Sequence, residues 1–175
     1  MLPPIGCWAT SPSPELAGKG GHIVSGYTIR DIKGEDYDQW SALWQGYNAF
    51  YGRAGPTAVS DEITQATWSR FFDPDEPVFA LVADDQGSLL GLAHFIFHRN
   101  TIALGPACYM QDLFTREDTR GQGVGRALIA AVRRRAQAAG AARLYWHTHE
   151  SNERAMALYD AVAQKSGFIV YRAEL

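Results

Sequence analysis

Hydrophobic and polar positions recur along this chain with two different periods, and each period predicts one kind of element. Six segments have the alternation or the short apolar run that is typical of strands: residues 27–32, 78–83, 89–99, 106–115, 143–148 and 168–173. Residues 84–88 place turn-forming side chains between the second and third segments, which predicts a hairpin. His94 and His98 share a face of the third strand by parity, and we interpret both as packing residues.

Apolar residues at three- and four-residue intervals predict four helices, over residues 35–51, 60–72, 124–139 and 152–165. Ser60 suits the N-cap of the second helix, and Gly140 and Gly167 suit the ends of the last two. The predicted order is therefore βααβββαβαβ, an α/β fold with a mixed sheet. Residues 1–25 are rich in Pro, Ser and Gly and predict a flexible leader, so residues 26–175 form the expected single domain.

One stretch joins the fourth strand to the third helix through alternating glycines, at positions 121, 123 and 125. Such a turn aims free backbone N–H groups and the positive end of a helix dipole at one point, where an anion binds well. Residues 116–135 hold six arginines and two acidic residues. The spacing is neither a Walker A loop nor the dinucleotide fingerprint. The alternative is a tight turn beside a solvated basic helix face.

The run Arg120-Gly121-Gln122-Gly123-Val124-Gly125 resembles the acyl-CoA pyrophosphate loop of the GNAT superfamily of N-acetyltransferases. The likeness extends downstream to residues 152–159 and upstream to residues 109–114, which look like the fourth strand of the polyamine and histone-type branch. In all it covers about residues 27–173. It implies a mostly antiparallel sheet flanked by helices, acetyl-CoA as cosubstrate without a metal, and transfer of acetyl to a primary amine. It also implies a homodimer as an assembly to test.

By this resemblance, one set of residues binds the cofactor: Leu113, Phe114, Thr115, Arg120, Gly121, Gln122, Gly123, Val124, Gly125, Arg126, Asn152, Ala155 and Tyr159. Tyr159 is the expected proton donor to the leaving sulfur. It lies seven residues, or two helical turns, after Asn152, so the two share a helix face. An ordinary core tyrosine is the alternative reading of Tyr159.

The acceptor side of the reaction is less defined by the sequence. Tyr47 and Tyr51 lie on the aromatic face of the first helix and are candidates for lining the acceptor pocket, as are Gln111 and His149. The related polyamine branch carries Glu where this chain has Gln111, which cannot accept a proton. Asp112 is therefore the first candidate for the general base, with His149 and Glu150 as the runners-up.

Composition limits the partners and the compartment. A net charge of −3 argues against bulk electrostatic binding to nucleic acid. The sequence contains no run of eighteen apolar residues, so no membrane span is expected. Cys7 and Cys108 form no disulfide framework, which favours the reducing cytoplasm. His147 and His149 lack a third ligand nearby, so no metal is expected. Two other functions remain open: a CoA-binding regulatory module without turnover, and a nucleotide-phosphate binder unrelated to CoA.

Overall fold

The computed structural model describes residues 26–174, so the predicted flexible leader lies outside the described residues. The helices and strands follow the predicted order up to the last strand: β1 Thr28–Asp31, α1 Tyr37–Phe50, α2 Asp61–Arg70, β2 Val78–Asp85, β3 Ser88–His98, β4 Ala107–Thr115, α3 Val124–Ala138, β5 Arg143–Tyr145 and α4 Glu153–Asp160. Local signals fix several of these ends. Ser60 caps α2 by accepting a hydrogen bond from the Ile63 amide, and Gly140 follows α3 with a φ of 66°.

The five strands form one sheet in the order β1-β2-β3-β4-β5. Neighbouring strands from β1 to β4 run antiparallel, whereas β4 and β5 run parallel because α3 crosses over between them. The β2–β3 hairpin turns at Gln86 and Gly87, which both have positive φ, as the tightest hairpin turns require. Within residues 26–174, no helix has both the length and the apolar character needed to cross a membrane.

Each face of the sheet is covered by a different helix, and each has its own core. On one face α3 buries Val124, Leu128 and Val132 against the apolar side chains of β2, β3 and β4. On the other face α1 buries Trp40, Leu43 and Trp44 over the opposite side chains of the same strands. The alternating strand pattern therefore divides the side chains of β4 between two environments.

A β-bulge interrupts β4 close to its middle. His94 of β3 lies opposite Asp112, but the next β3 residue, Phe95, lies opposite Met110, so Gln111 is an extra residue in β4. On the other edge of β4, pairing with β5 ends at Tyr109 and Tyr145. From Met110 onward β4 has no described strand paired with it on that edge.

The C-terminal part of the chain differs from the sequence prediction. Residues 168–173 do not form the predicted closing strand, and their side chains are exposed, Phe168 by 89% and Tyr171 by 88%. β5 has only three paired residues, so it offers little edge to which a further strand could add. α4 also ends at Asp160 rather than near residue 165. The observed order is βααβββαβα, and the α/β class with a mostly antiparallel sheet is confirmed.

Candidate active site

The glycine loop presents backbone donors at the start of α3. Gly121 and Gly123 have φ values of 83° and 84°, a conformation that side chains with a Cβ rarely adopt. Gly123 is the N-cap of α3, and the amide groups of Gly121, Gly123, Val124 and Gly125 donate to no described residue. These amides and the helix dipole together favour an anion at this position.

The side chains of the loop are arranged around those amides. Arg120 is held by Glu117, whose carboxylate accepts from Nη1 at 3.0 Å, and by the carbonyl oxygen of Thr115. The Gln122 side chain instead donates to the carbonyl oxygen of Asp118 at 3.2 Å. Gln122 is also the one loop residue from position 120 to 126 that does not line the adjoining cleft.

That cleft, with a volume of about 510 Å³, runs from the glycine loop between the end of β4 and helix α4. The residues predicted to bind the cofactor all line it except Gln122: Leu113, Phe114, Thr115, Arg120, Gly121, Gly123, Val124, Gly125, Arg126, Asn152, Ala155 and Tyr159. The lining also includes residues that were not predicted: Phe50, Tyr51, Thr119, Arg154, Ala157 and Leu158. We call this cleft the loop side of the site. The role of each of these residues in binding the cofactor stays a prediction.

Helix α4 supplies the wall opposite β4. Asn152 caps the helix, since its Oδ1 accepts from the Ala155 amide at 3.3 Å, which leaves the Nδ2 group for other contacts. The Tyr159 ring packs edge-on against Trp146, with ring centroids 5.4 Å apart. Burial, with a smaller effect from Tyr51, raises the pKa of Tyr159 to about 12. Like an ordinary phenol, this group carries its proton at neutral pH, and the raised pKa extends that protonated range to higher pH.

A row of aromatic rings on α1 forms the other half of the site, which we call the aromatic side. Trp40 stacks on Trp44, Trp44 stacks on Tyr47, and Tyr47 meets Tyr51 edge-on. Tyr47 is only 8% exposed, and burial followed by the neighbouring Asp112 carboxylate raises its pKa. Tyr51 also lines the cleft of the loop side, so it stands where the two halves of the site meet.

Asp112 belongs to a buried hydrogen-bonded chain on the aromatic side. The Trp40 indole N–H donates to His94 Nε2 at 2.9 Å, and indole nitrogen can only donate. The proton of neutral His94 must then lie on Nδ1, which donates to Asp112 Oδ2 at 2.9 Å. The Asp112 carboxylate is thereby fixed in place, and Tyr47 is a second side-chain hydrogen-bond partner of the same carboxylate.

Sequence reasoning interpreted His94 only as a packing residue, together with His98. The structure separates the two: His94 is 3% exposed and bonded as described, whereas His98 is exposed and bonds to Tyr145 Oη. Strand parity could not reveal this, because the partner Trp40 is 54 positions away along the chain. The nearest signal in the sequence was a polar side chain within an otherwise apolar strand.

The remaining predicted site residues lie at the border of the site. Gln111 is exposed at the bulge of β4, and His149 is exposed with its Nδ1 2.7 Å from Ser151 Oγ. Neither residue lines the cleft. Tyr109, whose pKa is raised by burial and by Asp112, has its hydroxyl 3.3 Å from His147 Nδ1. Among residues 26–174 there is no cluster of three or more His, Cys, Asp or Glu side chains that could hold a metal ion.

Comparison with known proteins identifies similar chains. The acetyltransferase (GNAT) family model matches residues 40–163. The D-amino-acid N-acetyltransferase HPA3 of Saccharomyces cerevisiae is 34% identical over 146 residues, which span 82% of this chain and 88% of the yeast protein.

Two solved structures of the aminoglycoside N-acetyltransferase AAC(6')-Iy share the fold. One, in complex with the bisubstrate analogue CoA-S-monomethyl-acetylneamine, has a TM-score of 0.73 and 18% identity, over 86% of this chain and 99% of that one. The other, in complex with CoA, has a TM-score of 0.72 and 18% identity, over 91% and 99% of the two chains. At this identity the likeness shows the fold alone.

Proposed function

Because the chain belongs to the acetyltransferase (GNAT) family, we propose that this N-acetyltransferase moves acetyl from acetyl-CoA directly to a primary amine held on the aromatic side. The observation that carries the proposal is the continuity of the site. The cleft has the glycine-loop amides at one end and the Tyr159 phenol on its wall, and its lining residue Tyr51 contacts Tyr47, the neighbour of Asp112.

The donor groups of the loop side suit acetyl-CoA. Unpartnered amides at Gly121, Gly123 and Val124 can bind the diphosphate, with Arg120 and Arg126 adding positive charge. Beyond Tyr109 the edge of β4 has free backbone groups, which can hydrogen-bond the amide groups of the pantetheine arm. An arm held along this edge extends toward the bulge and Asp112.

The chemistry that acetyl-CoA supplies is a thioester: its C–S bond breaks, a C–N bond forms, and the ammonium acceptor gives up two protons while sulfur gains one. An alkyl ammonium has a reference pKa near 10.4, so its first proton must be removed by a base or by desolvation. We assign that step to the Asp112 carboxylate, directly or through water. The protonated Tyr159 phenol then supplies the proton that sulfur gains.

The proposed acceptors are those with a primary amine: small amines, polyamines, free amino acids and lysine side chains. The yeast relative is named for its activity on D-amino acids, which supports the amino acids in this set. The resemblance of β4 to the polyamine and histone-type branch supports polyamines as acceptors. Membership of that branch stays a prediction.

A second candidate function is a CoA-binding regulatory module without turnover. It is favoured by Gln111, which lies at the exposed bulge where the resembling branch carries a Glu. Gln111 has no titratable group, so such a chain would bind CoA without activating an amine.

Release of free thiol from acetyl-CoA separates the two functions. We expect release that depends on enzyme and is stimulated by at least one class in a panel of primary amines, and mass spectrometry should find the acetylated amine. Binding of acetyl-CoA, measured by calorimetry, without stimulated release by any amine would contradict the proposed enzyme and support the regulatory module.

A further inference from the structure

Arg53, in the loop that follows α1, is held in place over the aromatic side of the site. Its guanidinium carbon lies 5.6 Å from the centroid of the Tyr47 ring and 5.5 Å from that of Tyr51. A guanidinium stacked on two aromatic faces is attracted by both rings. The position is therefore defined although the residue is exposed.

A buried amide fixes the orientation of this arginine. Asn48 is 3% exposed, and its Oδ1 accepts from Arg53 Nε at 2.7 Å while its Nδ2 donates to the Trp44 carbonyl oxygen. The backbone carbonyl oxygen of Asn48 also accepts a hydrogen bond from the backbone N–H of Arg53 at 2.9 Å. One end of the buried Asn48 side chain thus holds the guanidinium while the other end anchors Asn48 to α1, an arrangement that a merely solvated arginine does not need.

The two Nη groups of Arg53 remain available. Among the residues described, no carboxylate lies within ion-pair distance of Arg53, although Arg30, Arg116, Arg120 and Arg135 each have an acidic partner. The buried Trp44 indole N–H, in the same aromatic row, also lacks an acceptor in the described chain. The Arg53 end of the aromatic side therefore offers donors and positive charge, and no described carboxylate lies within ion-pair distance of that charge.

Arg53 and Asp112 act on the same phenol with opposite sign. Both lie close enough to Tyr47 for their charges to influence it, Asp112 disfavouring its ionised form and Arg53 favouring it. A small molecule at Tyr47 thus meets a fixed cation from the loop and a fixed carboxylate from β4. A zwitterion matches this pair, whereas a polyamine would bring its positive charges toward Arg53.

We propose that Arg53 is the carboxylate-binding residue of the acceptor site, so that the acceptor is a free amino acid whose ammonium lies toward Asp112. Two parallel N–H groups of a guanidinium match the two oxygens of a carboxylate. With Nε bound to Asn48, the Nη groups are the donors that remain. This inference rests on the proposed function and narrows its acceptor class.

The test is a matched acceptor panel measured by thiol release. The panel contains D- and L-phenylalanine, phenylalaninamide, 2-phenylethylamine and spermidine, which separate the carboxylate from the amine and the ring. For the unaltered enzyme we expect kcat/KM for at least one phenylalanine enantiomer to exceed that for the amide and for 2-phenylethylamine at least tenfold. Spermidine should be the poorest acceptor.

The decisive variant is Arg53→Gln, with Arg134→Gln on the exposed face of α3 as the charge-matched control. Loss of a charge-assisted carboxylate contact should raise KM for the amino acid about 10- to 100-fold, with kcat and the KM for acetyl-CoA within twofold. Turnover of 2-phenylethylamine should be unchanged within twofold. Arg134→Gln should behave as the unaltered enzyme with every acceptor, and Arg53→Lys should recover part of the loss.

Different failures have different meanings. If amines without a carboxylate are acetylated as well as phenylalanine, or if Arg53→Gln weakens all acceptors equally, the carboxylate site is wrong and the acetyltransferase stands. If no acceptor stimulates thiol release from acetyl-CoA, the proposed function fails and this inference fails with it.

Discussion

The two sides of the site are built from different materials. The loop side offers mainly backbone amides, placed by glycines at positive φ and by the start of α3. The aromatic side is built from side chains that come from α1, β3, β4 and the loop after α1. Backbone groups tolerate many side-chain changes, whereas a chain of buried side chains tolerates few. The two halves should therefore respond to substitution in different ways.

The largest effect is expected on the α4 wall of the loop side, for Tyr159→Phe. Loss of the proton donor should lower kcat about 10³-fold and leave KM for acetyl-CoA nearly unchanged. Tyr171→Phe, at a tyrosine that is 88% exposed, is the matched control and should have no effect. An unchanged kcat in Tyr159→Phe would remove the assignment.

The pH profile provides a second check of the same phenol. A donor must be protonated, and the raised pKa of about 12 keeps Tyr159 protonated through pH 10, where an ordinary phenol would be half ionised. We expect kcat, measured at saturating substrates, to show no alkaline loss between pH 8 and 10. A fall by half at pH 10 that disappears in Tyr159→Phe would contradict the stated pKa.

Next in size is Asp112→Asn on the aromatic side. The amide oxygen can still accept from His94 Nδ1, so the buried chain is preserved while the base is removed. We expect kcat/KM to fall about 10²-fold and thermal unfolding to change little. Asp38→Asn, an exposed carboxylate on α1, is the control. If Asp112→Asn is as active as the control, Asp112 is not the general base, and His149 and Glu150 are the next candidates.

Within the glycine loop itself, only a change to the backbone should matter strongly. Gly123 has a φ of 84°, so Gly123→Ala introduces strain of about 1–2 kcal/mol, which corresponds to roughly a tenfold weaker binding of acetyl-CoA. Gly34→Ala, at a glycine with open space around it and no positive φ, is the control. Calorimetry with acetyl-CoA measures both, and equal affinities would mean that the loop does not hold the diphosphate.

The smallest effect is expected for Gln122→Ala. This residue lies in the middle of the loop, but its side chain bonds to the Asp118 carbonyl oxygen and does not line the cleft. The affinity for acetyl-CoA should stay within twofold of the unaltered protein. A tenfold loss would show that the side chain turns toward the cofactor, and that the loop side depends on more than its backbone.

The same contrast explains what could be predicted from the sequence. The glycine loop, α3 and the β2–β3 hairpin were predictable because positive φ, helix ends and tight turns leave local signals at glycines 87, 121, 123 and 140. The Trp40–His94–Asp112 chain leaves only a polar side chain in an apolar strand, and the Asn48–Arg53 contact leaves no local signal, since each needs a tertiary position or a loop conformation. The strand predicted at residues 168–173 was wrong because its apolar pattern does not by itself provide a neighbouring edge.

One inserted residue in β4 lies between the residues that pair with β5 and the residues that line the cleft. A bulge bends the strand that carries it, and β4 parts from β5 just before Gln111, so β5 does not follow the bend. We therefore expect the separation of β4 from β5 to depend on the count of residues in a strand rather than on the chemistry of any side chain.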